Sequence, residues 1–372
     1  MPRWLTNLRL TGCCVFRRNR VDKALALLSY LLWWSTVVTG QALTNLRELG
    51  QREYQAGHYA ESESYFRAAL EGARLDDDSR AGILSDLGTL LLDEERLSEA
   101  EEAYTKALAI EKRRVNKQAI ASLSRDLGVV YSMQRRDEEA ISLLNQALKL
   151  AKTPPVSPQS TASVLNSLGV AHFRQARLKK AGQFFNQGLQ TLANAESTFE
   201  VYAPLLNNLG TVYGKQRNFR LAEELLTRAL SLTSAQFGPA HPVIADSLDG
   251  LGVVYTEMGR YADAEAQYRR AIAILEQQGP IQFDVRIARA QRGLADTYLR
   301  EGKKSDAAIA LEQAVRLARP KLTTSPDMIL ILEACSRLLV ALGRPSEAKD
   351  LGSEAHRARV AIASTVRAYK PD

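Results

Sequence analysis

Small and large apolar positions recur along this chain with a long period. Leu-Gly pairs stand at Leu49-Gly50, Leu87-Gly88, Leu127-Gly128, Leu168-Gly169, Leu209-Gly210 and Leu251-Gly252, then Leu294-Ala295; the second members are 38, 40, 41, 41, 42 and 43 residues apart. Twelve positions after each comes a small residue (Ser62, Ala100, Ala140, Ala181, Ala222, Ala264, Ala307), and seven further another (Ala69, Ala107, Ala147, Gly188, Ala229, Ala271, Ala314). Between them, at +16, lie Phe66, Tyr104, Leu144, Phe185, Leu226, Tyr268 and Leu311. One unit is written seven times, and a fixed period in this range predicts a solenoid.

Glycine inside a helix costs about 1 kcal/mol relative to alanine, so six glycines at one register need a common cause. The expected cause is close approach of two antiparallel helices, Gly252 facing Ala264, with Tyr255 and Tyr268 filling the space beside them. Ala271 is expected to meet the next unit. Gly57, Gly259, Gly302 and Gly343 read as left-handed residues ending first helices. Ser157-Pro158 and Ser325-Pro326 read as N-caps followed by first-turn prolines, and His241-Pro242 also opens a helix. A degenerate eighth unit keeps Gly343, Ala348 and Ala355 in register but has Ser336 at the glycine position, as a terminal repeat often does. The predicted organisation is a leader over 1–42, repeats over 43–75, 79–115, 117–152, 159–194, 199–236, 241–278 and 284–319, and a degenerate repeat over 326–365.

This pattern of Leu-Gly, a tyrosine three residues on, glycine at the turn, then Ala, an aromatic or leucine, and Ala-Leu resembles the tetratricopeptide repeat family. The resemblance runs from about Leu43 to the end. The period exceeds the family's common 34 residues, which lengthens each helix to about 16 to 18 residues, ~25 Å. "FGPAHPVIADSLDGLG" and "LNNLGTVYGKQRNFRLAEELLTRAL" look like the kinesin-light-chain type, found widely in bacterial proteins. The resemblance implies an all-α, right-handed superhelical solenoid of antiparallel helix pairs that serves as a protein interaction scaffold; cargo transport does not follow from it.

The net charge of +7 changes little of this picture. The first 42 residues hold Arg3, Arg9, Arg17, Arg18, Arg20 and Lys23 against Asp22, so the remainder carries 43 basic and 41 acidic residues. That body has no net excess with which to build a broad field for nucleic acid, and no nucleic-acid partner is expected. After the basic start comes the apolar run Ala24 to Val38, then small residues Gly40 and Ala42, the order of a secretory signal. Fifteen apolar residues are short for a spanning helix, although Trp33 and Trp34 suit a membrane interface, so an uncleaved anchor stays open as the alternative. Export to the periplasm or beyond is the expectation; an inner-membrane-anchored sensory or adaptor protein is the rival. Membrane contact would then come through the leader alone.

No seat for catalysis is visible. Walker, nucleophile-elbow and dinucleotide fingerprints are missing, the histidines His58, His172, His241 and His356 lie in different repeats or linkers, and no zinc spacing occurs. Neither metal nor cofactor is implied. Cys335, the sole cysteine after Cys13 and Cys14, reads as a small buried residue. Asp76, Asp77 and Asp78, and Asp93, Glu94 and Glu95, read as solvated turn charges.

Function is therefore sought on the groove that first helices line in this family. The positions left free by the motif are Arg125, Asn166, Arg174, Asn207, Thr211, Lys215, Asp249, Thr256, Glu257, Arg292, Asp296 and Arg300, with Asn208 beside them. Asparagine both donates and accepts, so Asn166, Asn207 and Asn208 suit a peptide backbone; bridging between neighbouring helices is the competing role. Arg125, Arg174, Lys215, Arg292 and Arg300 bias the groove positively, broken by Asp249 and Glu257, and point to an acidic or carboxylate-bearing protein or peptide partner along the third to fifth units.

Overall fold

The computed structural model describes residues 45–56, 58–71, 75–154, 157–193, 199–277, 284–322 and 325–368; the leader lies outside them. Among the described residues no helix is long and apolar enough to cross a membrane. The chain divides into two compact units, one through Asp86 and one from Leu87 onward. Every regular element of the described residues is helical.

In the first unit α1 (45–55) packs on α2 (Tyr59–Glu71) through the glycine register. A Cβ on Gly50 would lie 2.6 Å from the Phe66 ring, and Ser62 Oγ donates to Gly50 O at 2.8 Å. Helix α3 (Asp77–Asp93) crosses the division; its Asp86 carboxylate receives Arg47 Nε at 2.6 Å and Gln51 Nε2 at 2.8 Å.

In the second unit, α4 (Leu97–Arg114), α5 (Lys117–Met133), α6 (Asp137–Ala151), α7 (Pro158–Arg174), α8 (Leu178–Leu192), α9 (Phe199–Lys215) and α10 (Phe219–Phe237) follow one another. After a 3-10 turn at Pro242–Ile244 come α11 (Ala245–Glu257), α12 (Tyr261–Glu276), α13 (Asp284–Glu301), α14 (Lys304–Ala318), α15 (Pro326–Ala341) and α16 (Pro345–Ala368). Each odd helix packs on the even helix after it, and α5, α7, α9, α11, α13 and α15 also touch in series. The solenoid of helix pairs thus forms. The caps form too: Ser157 accepts from the Ser160 amide, Ser325 from that of Met328, and His241 Nδ1 from that of Val243.

The reason for the glycines differs from expectation in one respect. Gly252 makes room chiefly for the residue at +16, not for Ala264: a Cβ there would lie 2.7 Å from the Tyr268 ring. Gly88 stands likewise against Tyr104, Gly128 against Leu144 and Gly210 against Leu226. The +16 side chain is also clasped by the next unit, Tyr268 by Gly293 and Leu226 by Gly250. These residues are almost wholly buried, which stabilises the fold by about 1.5–3 kcal/mol each. In the last pair the sizes are exchanged: Ser336 stands at the glycine register, its hydroxyl donating to Ala348 O at 2.7 Å, and Gly352 faces it from +16. At +19 the expected contact with the next unit is made, Gly188 lying under Leu205 of α9.

Tyr255 does more than fill space. Its hydroxyl donates to Glu223 Oε1 of the preceding unit at 2.9 Å, while Arg260 lies over its ring at 4.1 Å and reaches the same carboxylate at 3.0 Å. Parts of the device recur: one unit later Tyr298 donates to Glu265 while Lys303 lies near the ring and pairs with Glu301, and earlier Arg136 lies over the Tyr131 ring and bonds Glu101. Cys335 is fully buried, and burial pushes its thiol up to about 12.

Among the described residues the turn residues at +7 take positive φ, whether glycine (Gly259, Gly302, Gly343) or not (Glu95, Arg135, Ala176, Arg217), and Gly57 lies outside those residues. The left-handed region costs a residue with a Cβ about 1 kcal/mol or more. Ala176→Gly is accordingly expected to raise stability by up to about 1 kcal/mol, less the greater freedom glycine has in the unfolded chain. The register makes a paired prediction for glycine to alanine. Gly182, in the interior of α8, has no atom nearer than 3.6 Å to an added Cβ, so Gly182→Ala gains about 1 kcal/mol of helix propensity. Gly252→Ala should lose about 1–3 kcal/mol despite the same gain, because Tyr268 is wedged from both sides. Urea midpoints of the three variants check these signs; a higher midpoint for Gly252→Ala would refute the packing account.

Candidate functional site

The odd helices touch one another in series, whereas the even helices meet mainly the odd ones. A stack with the shorter spacing on one side curves toward that side, so α5, α7, α9, α11, α13 and α15 line the inner face of the second unit. Residues three before, one after and five after the glycine register project from it, with those six before one helical turn further toward the N-terminal edge.

Among the described residues, Asn207 Oδ1 on α9 and Asp249 Oδ1 on α11 are buried acceptors of this face without a hydrogen-bond partner. They hold the same register on helices that touch. Burial pushes the Asp249 carboxyl above the usual carboxylate range, against the attraction of Arg289 and Arg292 on α13. Beside them Asn208 Nδ2 donates to Asn166 Oδ1 at 2.9 Å, so this asparagine pair bridges α9 and α7. Thr211 Oγ1 donates to the Asn207 carbonyl at 3.0 Å, and Lys215 is exposed at the C-terminal end of α9.

Most of the expected positive stretch is internally paired. Arg125 bonds Asp126 at 2.7 Å, Arg174 reaches Asp327 at 3.5 Å, and Arg300 bonds Glu257 at 2.8 Å and Asp296 at 3.2 Å. Charge compensated at that range leaves little field for an acidic partner along the third and fourth units. Thr256 is not a groove residue: it is buried, bonded to the Gly252 carbonyl at 2.8 Å and to Thr297 at 2.7 Å between α11 and α13. It stands four positions after the glycine, one short of the exposed register.

Other residues reach the site unannounced. Arg286 pairs with Asp246 at 3.1 Å, and Arg289 lies 3.9 Å from the same carboxylate while keeping 38% of its side chain exposed. Asp249, Asp246, Asp327 and Glu95 all favour the charge on Arg289. Glu95 is not a solvated turn charge; burial raises its pKa, and a hydrogen bond from Ser325 opposes the rise. Asp246 and Arg289 were readable as the positions one turn before Asp249 and Arg292. Nothing in the sequence announces that Glu95 meets Ser325.

Among the described residues no group of three or more His, Cys, Asp or Glu side chains is placed to hold a metal. His172 stacks on Phe184, ring centroids 5.2 Å apart, and burial lowers its pKa.

Comparison with solved structures finds this architecture elsewhere. A Rap protein complexed with competence and sporulation factor superposes with a TM-score of 0.68 at 13% identity, covering 93% of this chain and 94% of that one. The apo form of the quorum sensor NprR from B. thuringiensis gives 0.64 at 14%, covering 92% and 94%. BtubC (BKLC) from P. vanneervenii gives 0.50 at 21%, covering 59% and 90%. At such identities these likenesses concern the fold. No curated protein matches in sequence. Family profiles described as tetratricopeptide repeat match residues 79–153 and 201–277, and a second with the same description matches 126–196. Together with the repeated glycine register and the paired helices, these matches place the chain in the tetratricopeptide repeat family.

Proposed function

We propose that this protein is a non-catalytic interaction scaffold whose inner face, from α7 to α13, holds an extended peptide segment of a partner. The observation that carries this reading is the pair of unsatisfied acceptors, Asn207 Oδ1 and Asp249 Oδ1. A buried acceptor left without a donor costs about 1–3 kcal/mol, and a backbone or side-chain amide laid along the face supplies the missing N–H groups. Arg292 and Lys215 flank them with positive charge for a carbonyl or carboxylate of the same segment. The complex of the Rap protein with competence and sporulation factor offers a precedent for a protein of similar fold holding another molecule. We place the protein outside the cytoplasm, in the periplasm or beyond, on the basic, apolar and small-residue order of residues 1–42. N-terminal sequencing of the processed chain tests this; a retained Met1 would sink cleavage.

For the groove, a partner captured from the native envelope should bind the Asn207→Ala, Asp249→Ala variant about 10- to 100-fold more weakly by calorimetry. Unchanged affinity would remove this face as the site. Asp249→Asn separates charge from shape. Because the folded pKa of Asp249 is raised, its contribution to stability is full below the unfolded carboxyl pKa and is lost as pH rises through the folded value. The Asn variant is therefore expected to be the more stable protein at neutral pH. It should also lack the fall in affinity expected of the native protein when acid protonates Asp249, surrounded as it is by Asp246, Arg286, Arg289, Arg292 and Tyr268.

A further inference from the structure

In a linear stack of repeats each unit packs on its neighbours, and a few register positions carry that junction. At +4, an added Cβ on Gly214 would lie 3.4 Å from Val254 of the next unit, and Thr256 lies 2.7 Å from Thr297 of the next. At +13, Glu265 accepts from the Tyr298 hydroxyl of the following unit at 2.7 Å. At +16, the Tyr268 ring fills the space that a Cβ on Gly293 would take. At +20 the first seven units carry leucine, isoleucine or valine, from Leu70 to Val315.

Helices α15 and α16 are the last pair of the described residues, and there these positions change character. Val340 at +4 is 57% exposed, Lys349 stands at +13, Gly352 takes the place of a ring at +16, and His356 stands at +20. The result is an open hollow of about 660 Å³, lined by Val340, Pro345, Ala348 and Gly352 together with Lys349, His356 and Arg357. Binding clefts span roughly 300–1,000 Å³. Lys349, His356 and Arg357 make no ion pair among the described residues. The acids of the same helix are turned elsewhere: Glu347 to Arg344, Glu354 to Arg319, and Asp350 into the groove beside Leu311 and Leu339. A terminal repeat that meets only water needs a polar outer face. This one keeps an exposed valine beside a hollow, and the unpaired charges around it are positive.

Independently of the inner-face reading, we propose that this end face docks an acidic amphipathic helix of a partner protein, laid where the first helix of a further unit would lie. Its register follows from the inner junctions, with sizes and charges exchanged. There Gly293 meets the +16 ring, and Tyr298, five residues on, meets the +13 carboxylate. The docked helix accordingly carries a large apolar side chain over Gly352. Four residues on it carries a second apolar side chain against Val340, as Val254 faces Gly214. Five residues on it carries Glu or Asp for Lys349.

The probe is a library of alanine-based helical peptides, about 18 residues long so that the helix forms in water, with those three positions randomised and selected against the full chain. Recovered binders are expected to carry large apolar residues at the first two positions and a carboxylate at the third. Exchanging that carboxylate for lysine should weaken binding at least ~10-fold. In Lys349→Glu, checked for native melting temperature, the preference should reverse: the lysine peptide regains ~10-fold and the acidic one loses it. Val340→Asp should also weaken the acidic peptide ~10-fold, whereas the Asn207→Ala, Asp249→Ala variant should bind it as the native protein does. An empty selection, binders without acidic preference, or an acidic peptide held as tightly by Lys349→Glu overturns the proposal. So does loss of binding in the Asn207→Ala, Asp249→Ala variant, which would put the helix on the inner face. A native protein that sediments as a dimer and turns monomeric in Lys349→Glu assigns the face to a second copy and likewise overturns it.

Discussion

Everything in this fold depends on how closely the two helices of a unit approach, and that distance is set by one glycine against one large side chain. With hydrogen at the glycine position, the ring of Phe66, Tyr104 or Tyr268, or the Leu144 or Leu226 side chain, occupies the space that a Cβ would take. The same large side chain is then caught by the following unit, as Tyr268 is by Gly293. One contact thereby fixes spacing within a unit and between units. The exchange of sizes at Ser336 and Gly352 makes the point most clearly: the sum of the two side chains matters, and which helix supplies the bulk does not.

A second set of contacts sets the rotation from unit to unit. At one junction the tyrosine at +3 and the arginine at +8 converge on a carboxylate at +13 of the unit before, Tyr255 and Arg260 on Glu223, and at others one of the two makes the bond, Tyr298 to Glu265 and Arg136 to Glu101. Single surface ion pairs contribute little, on the order of 0–1 kcal/mol. Here a guanidinium stacked on a ring and a phenol share one carboxylate, which fixes direction as well as energy. A small rotation repeated at each junction accumulates over the stack, and Arg174 at the end of α7 comes to lie 3.5 Å from Asp327 at the start of α15.

That accumulated turn gives the inner face its chemistry. Groups far apart in sequence are brought together: Arg174 lies 3.5 Å from Asp327, and carboxylates of several units favour the charge on Arg289. Many arginines that would advertise a positive groove are consumed in the process. Asn207 and Asp249 remain with acceptors unsatisfied, on a face where burial has already raised the cost of leaving them so.

The sequence by itself determined the helices, their pairing, the period and the caps, because these follow from local spacing and from residue size at a fixed register. It also placed Asn207 and Asp249 on the inner face, since face is a matter of helical phase. It misjudged Thr256 by one position of that phase, and took Glu95 for a turn charge because, in a one-dimensional reading, a turn ends in solvent. Only the tertiary structure decided that Asn208 bridges to Asn166 while Asn207 stays unpaired, and which arginines are compensated. Those outcomes depend on the rotation summed over several units, a quantity to which every junction contributes and which no single stretch of sequence carries.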